Sequence, residues 1–260
     1  MVTKIAKRRI IVTILYVKTI AAIAAGFLAG QLAVYIFNRM PASWLCDYGE
    51  EPQEILKDRQ VQRVKGWPWR WIYSGGLACL CLRLMYTQIH HPPAGFDGLP
   101  ENWIQLLSQS QFTLAGLAAC WAMLIIGLAD LKYMIIPDQF VIMLAIAGMG
   151  FLPFHESLLQ SLGGLAVGGG VMLITALLGK LAFHREVMGF GDVKLAAAMG
   201  LGLGLRGMIF ALAAASIVSG FAAAVGLARK KYQKYDMQPF GPFLTGAGIF
   251  YIFIVWPFMV

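Results

Sequence analysis

Residues 112–129, FTLAGLAACWAMLIIGLA, form a run of 18 residues without a formal charge, closed by Asp130. A helix needs roughly 20 mostly apolar residues to cross the hydrocarbon core of a bilayer, so the run reads as a membrane helix. Outward from it lie seven more runs of this kind, near 19–37, 71–86, 140–154, 158–183, 194–205, 208–227 and 240–260. Those at 194–205 and 208–227 are separated only by the Gly-rich turn at 202–207. Composition agrees: 59% of the 260 residues are apolar and 13% are charged, where soluble domains carry about 25% charge. Charge this sparse cannot coat a water-soluble globule, and 29 glycines suit closely packed membrane helices. The expectation is an all-α, polytopic membrane protein with about eight transmembrane helices and a short cytoplasmic loop domain.

The net charge of +8 indicates topology, because Lys and Arg mark cytoplasmic loops. The segment 38–70 holds Arg39, Lys57, Arg59, Arg63, Lys65 and Arg70, whereas the loop 87–111 has neither Lys nor Arg and carries Asp97 and Glu101. Alternation from there puts 130–139, 184–192 and the basic 229–234 loop inside, and with Lys180 and Lys194 at the cytoplasmic helix ends the inside holds 14 of the 21 basic residues. The bilayer is then the expected partner and nucleic acid is not. Residues 10–37 are apolar for about 42 Å of helix, longer than the roughly 30 Å core, which fits either residues 1–18 lying along the interface or a tight hairpin; a single crossing is the expectation, and the run is too long for a cleaved signal peptide. The chain divides into 1–37 (basic segment and first helix), 38–70 (cytoplasmic loop domain), 71–111 (second helix and external loop) and 112–260 (a core with both boundary carboxylates). His90, His91 and His155 fall on the external side. Nothing in the sequence sets an oligomeric state.

The boundary carboxylates are Asp130 and Asp192. Asp130 ends an apolar run and is followed by LKYMIIPD, residues 131–138, and Asp192 closes Gly189-Phe190-Gly191-Asp192 at the start of another. An ionisable residue at membrane depth is costly and points to function; the plainer role for Asp192 is a helix cap. Two neighbouring carboxylates can split a peptide bond, one activating water while the other, protonated, polarises the carbonyl. Glycines before Asp192 let a substrate backbone approach. A proton-coupled transporter is the competing use of such a pair.

These strings resemble the signature of bacterial type IV prepilin peptidases, membrane aspartic proteases of the GxGD class. The resemblance rests on Gly189-Phe-Gly-Asp-Val-Lys-Leu195 with Glu186 before it, on Asp130 followed by Pro137-Asp138, and on Pro239-Phe-Gly-Pro-Phe243 entering the last run. It implies cleavage of the basic leader of type IV prepilins or related pseudopilins at the cytoplasmic face of the inner membrane. Asp130 and Asp192 would be the catalytic pair, with Gly189, Phe190, Gly191, Lys194, Glu186, Pro137 and Asp138 binding substrate or supporting the pair. An inactive assembly protein of the same fold is the alternative. Presenilin-like proteases match less well, since Ala129 rather than tyrosine precedes Asp130.

Proteolysis of this kind needs no cofactor. Many members of the family carry two Cys-x-x-Cys pairs in the loop after the first helix, resembling a zinc site, and also methylate the new N-terminus with S-adenosylmethionine. Here only Cys46 stands in that loop. One thiol cannot hold a tetrahedral zinc, which argues against the metal and weakens the case for methylation. Cys79, Cys81 and Cys120 read as small buried apolar residues. Lys132 and Lys194 each lie two residues beyond an aspartate, a spacing that pairs neither with it, and read as headgroup snorkelers or as cations steering acidic substrate.

Overall fold

The computed structural model describes residues 2–45, 63, 64, 67–87, 89, 101–184, 188–229 and 238–258. Regular structure among these is entirely helical: α1 Val2–Arg39, α2 Trp69–Met85, α3 Glu101–Tyr133, α4 Asp138–Met149, α5 Leu158–Phe183, α6 Phe190–Ala228 and α7 Gly241–Phe250. Four stretches are long and apolar enough to cross a bilayer, Tyr16–Arg39, Trp103–Tyr133, Leu158–Ala182 and Phe190–Ala228. The chain is a multi-pass membrane protein.

About eight crossing helices is more than the described residues show. The 12 residues of α4 reach about 18 Å, and the apolar stretch Gly241–Val255 about 22 Å, both short of the roughly 30 Å core. The runs 194–205 and 208–227 also fall in one helical element, α6, broken at Gly204 with φ 70° and ψ 177°. Only glycine takes that φ at little cost. Both sides of the break pack on one stretch of α7: a Cβ at Gly248 would meet the Met199 Cε, and Phe210 stacks on Phe250 at 6.2 Å. In an unbroken helix residues 199 and 210 would stand about 16 Å apart along the axis, so the chain turns back at Gly204.

The first and third helices are longer than their apolar runs. α1 is one helix of 38 residues, so no hairpin interrupts it. α3 begins at Glu101, and the last part of the expected external loop, 101–111, is its first three turns. These turns carry the polar Gln105, Ser108, Gln109, Ser110 and Gln111, which hide them from an apolar count.

Burial separates centre from rim. Of the most apolar window in each span, 72% is buried in α3 but 17% in α5 and in α6. α3 is thus the axis of the molecule, and α5 turns Leu159, Leu177, Leu178 and Leu181 outward, as lipid-facing helices do. α5 and α6 meet where a Cβ on Gly164 or Gly200 would strike the other's backbone, the close approach that small residues permit between membrane helices. Cys81 and Cys120 are buried as expected, but Cys79 is exposed. Cys46, His90 and His91 lie outside the described residues.

Candidate active site

Asp130 sits in the last turn of α3, on the central helix, and is 5% exposed. Its main-chain carbonyl accepts the Met134 N–H at 2.8 Å, and Met134 takes a left-handed φ of 54°, which stops the helix. The chain then extends through Pro137, the residue before α4, whose carbonyl accepts the Phe140 N–H at 3.1 Å. Asp138 opens α4 within its first turn.

Asp192 lies in the first turn of α6. Its N–H donates to the Gly189 carbonyl at 3.2 Å, and Gly189 (φ −71°, ψ 146°) is the residue that precedes the helix. The side chain forms no cap. Its Oδ1 is buried and has no hydrogen-bond partner among the described residues. Asp192 and Asp130 lie at the same end of the bundle, because the residue before Asp192 packs on the loop that follows Asp130. Gly191 rests on the other aspartate's loop: a Cβ there would lie 3.1 Å from the Ile136 Cβ. Among the described residues a Cβ at Gly189 would meet almost nothing and Phe190 is exposed, so they leave this edge of the site open.

Two supporting residues meet each other. Lys194 Nζ donates to the Asp138 carboxylate at 2.8 and 3.0 Å, tying α6 to α4, and lies 5.5 Å from the Phe190 ring centroid. The expected snorkeling of Lys194 therefore gives way to an ion pair. Lys132 likewise turns inward and donates to the main-chain carbonyl of Arg63, while Arg63 Nη1 donates to the Phe37 carbonyl at 3.2 Å. Residues 63 and 64 are thereby held against the ends of α1 and α3; the Val64 N–H donates to Asn38 Oδ1 at 2.8 Å. Glu186 lies outside the described residues.

The residue that sequence reasoning left without a role is Gly241. Its N–H, in the first turn of α7, donates to Asp130 Oδ2 at 2.8 Å. A Cβ at this position would stand 2.5 Å from that same oxygen. The sequence signal was the Gly241-Pro242 pair ahead of an apolar run, since proline favours a first helical turn. Three helix N-termini thus converge on three carboxylates: α4 on Asp138, α6 on Asp192 and α7 on Asp130. The positive end of each helix dipole favours a nearby anion. Among the described residues no three His, Cys, Asp or Glu side chains come together as metal ligands.

Residues 117–224 match the Type IV leader peptidase family. The match contains both aspartates and bears out the resemblance carried by the motifs. Among curated proteins, the chain is 31% identical over 151 residues to the prepilin leader peptidase/N-methyltransferase of Aeromonas salmonicida strain A449, covering 55% of this chain and 50% of that one. It is 32% identical over 150 residues to the protein of the same name from Aeromonas hydrophila, with 55% and 50% covered. The Pseudomonas aeruginosa protein of that name is 29% identical over 146 residues, with 55% and 49% covered. The chain spans about half the length of these relatives. No solved structure matches it.

Proposed function

We propose that this protein is a membrane-embedded aspartic endopeptidase that removes the leader peptide of type IV prepilins or related pseudopilins, at the cytoplasmic face of a bacterial inner membrane. The observation that carries the reading is that Asp130 and Asp192 lie at one end of the helical core, Asp130 buried and Asp192 Oδ1 without a partner among the described residues, inside the stretch that matches a leader peptidase family. A buried carboxylate oxygen without a partner costs free energy, and such a cost is tolerated where a substrate or water completes the site.

The chemistry follows from the pair. Two carboxylates that share a site do not both ionise readily, so they hold one proton between them. The ionised member takes a proton from water as its oxygen attacks the scissile carbonyl, and the protonated member gives its proton to the carbonyl oxygen. Collapse of the tetrahedral intermediate breaks the C–N bond: the proton taken from water goes to the leaving amine, and a diol hydroxyl returns its proton to the carboxylate that supplied one, restoring the pair. Neither a cofactor nor a covalent enzyme intermediate is needed. The open edge at Gly189 supports entry of an extended substrate, and the basic loops around this end, under the positive-inside rule, support a cytoplasmic site. The relatives' printed name also includes methyl transfer; the aspartate pair supplies chemistry for hydrolysis, and the proposal is confined to that.

Co-expression with a prepilin tests the reading. The mature, shorter pilin is expected with the wild-type chain and only the full-length precursor with Asp130→Asn or Asp192→Asn. A mature pilin accumulating at the wild-type rate with either variant would sink it.

A further inference from the structure

We propose that Gly241 is a positioning residue for Asp130, acting through its main-chain N–H at the start of α7, and that it makes the two aspartates unequal: Asp130 is held and Asp192 is free to meet substrate. The inference rests on the peptidase reading and assigns a role within that site.

Four observations carry it. The bond from Gly241 N to Asp130 Oδ2 is 2.8 Å long and buried, and it joins residues 111 positions apart. It engages Oδ2 of the carboxylate and so restrains its rotation. The position accepts no side chain, because a Cβ would lie 2.5 Å from Oδ2 and 3.1 Å from Cγ of Asp130. The helix start that presents this N–H is itself braced against α3. Thr245 Oγ1 donates to the Gly241 carbonyl at 2.8 Å, and a Cβ at Gly127, one turn before Asp130, would lie 2.6 Å from that hydroxyl oxygen. Asp192 offers the contrast, its buried Oδ1 having no partner among the described residues.

A main-chain donor on a charged acceptor is worth more than a neutral bond, and it remains when side chains move. Catalysis by a carboxylate pair depends on placement, where an error of about 1 Å costs roughly 10²-fold in rate. Gly241→Ala puts a methyl group 2.5 Å from Asp130 Oδ2, which must shift, and is expected to lower kcat toward prepilin by roughly 10²-fold with little change in KM, since the substrate edge at Gly189 is untouched. Gly246→Ala, on the same helix where a Cβ meets nothing, is the control and is expected to cleave at the wild-type rate.

A second measurement does not depend on activity. Phe-Gly pairs occur only at 190–191 and 240–241, so labelling phenylalanine carbonyl carbon with ¹³C and glycine nitrogen with ¹⁵N isolates two amide signals in a detergent-solubilised sample, and Gly241→Ala assigns one of them. The Gly241 amide proton is expected to lie downfield in the wild type and to move upfield in Asp130→Ala. A Gly241 signal that stays put in Asp130→Ala, or a Gly241→Ala variant that retains wild-type kcat, overturns the positioning role. A wild-type protein that shows the shift but cuts no prepilin overturns the substrate reading and leaves the Gly241–Asp130 coupling standing.

Discussion

The two ends of α3 are built on opposite principles. At the Asp130 end, three helices begin, Asp192 Oδ1 lacks a partner among the described residues, and Met134 holds a left-handed φ. About 27 Å away along the helix, Phe112 is fully buried in an aromatic cluster, with ring centroids 5.5 Å from Phe151 and 5.5 Å from Trp256. That end is also where α6 breaks at Gly204, and the break is closed. The His155 Nε2–H donates to the Gly202 carbonyl at 2.9 Å, and the ring stacks on Trp256 at 5.2 Å. Buried side-chain atoms without a partner among the described residues occur at both ends, Ser108 Oγ and Ser161 Oγ at this one and Asp192 Oδ1 at the other; the difference is that this end buries neutral hydroxyls beside packed rings and the other buries carboxylate groups, the distribution expected when one end holds the fold and the other performs chemistry.

The sharpest way to break this comparison is to damage the closed end alone. Phe151→Ala removes a fully buried ring from the cluster. It is expected to destabilise the protein by about 3 kcal/mol, the low end of the range for such a cavity, because lipid offers the unfolded side chain an apolar alternative to water. Thermal unfolding in detergent should show the loss, while prepilin cleavage well below the transition stays near wild type. A large loss of cleavage with unchanged stability would mean that the ends are not separate.

A smaller effect is expected at the open end from the Lys194–Asp138 pair. Both side chains are about a third exposed, so their contribution to stability is at most about 1 kcal/mol. The pair matters as a tie between the helix that carries Asp192 and the one that follows Asp130. Lys194→Glu or Asp138→Lys should each slow cleavage, and the double variant that swaps the charges should recover part of the rate. Additive losses in a kinetic double-mutant cycle would remove the tie from the account.

The smallest effect concerns pH at the closed end. Burial lowers the pKa of His155, opposed by its bond to Gly202, so the folded ring favours the neutral form. A depressed histidine gives stability that is complete above its ordinary value of about 6.5 and declines as pH falls below it toward the lower folded value. His155→Gln keeps a donor for the Gly202 carbonyl but cannot titrate, so the melting temperature should depend less on pH across that interval. An identical pH dependence in wild type and variant would assign the effect elsewhere.

The helices and both aspartates were legible in the sequence because each is a local signal. Long uncharged runs announce a membrane, and Asp130 and Asp192 stand where such runs stop. What was not legible is what holds the site together. Gly241 reaches Asp130 through a main-chain group, which no residue type advertises. Lys194 and Asp138 are 56 positions apart, and the local spacing of Lys194 to Asp192 pointed away from any ion pair. The polar first turns of α3 were taken for loop because an apolar count cannot see a helix that continues past the bilayer. The turn at Gly204 was read correctly as Gly-rich, but its closure by His155 depends on a contact across 47 positions.

The central claim is that Asp130 and Asp192 act as one hydrolytic pair. It is tested most directly with the purified protein in lipid vesicles and a synthetic prepilin N-terminal segment, followed by mass spectrometry. A single cut by the wild-type protein is expected, with a rate lower by roughly 10²- to 10⁴-fold in Asp130→Asn, in Asp192→Asn and in the double variant alike. Wild-type cleavage by either single variant, or losses in the two that multiply in the double, would contradict it.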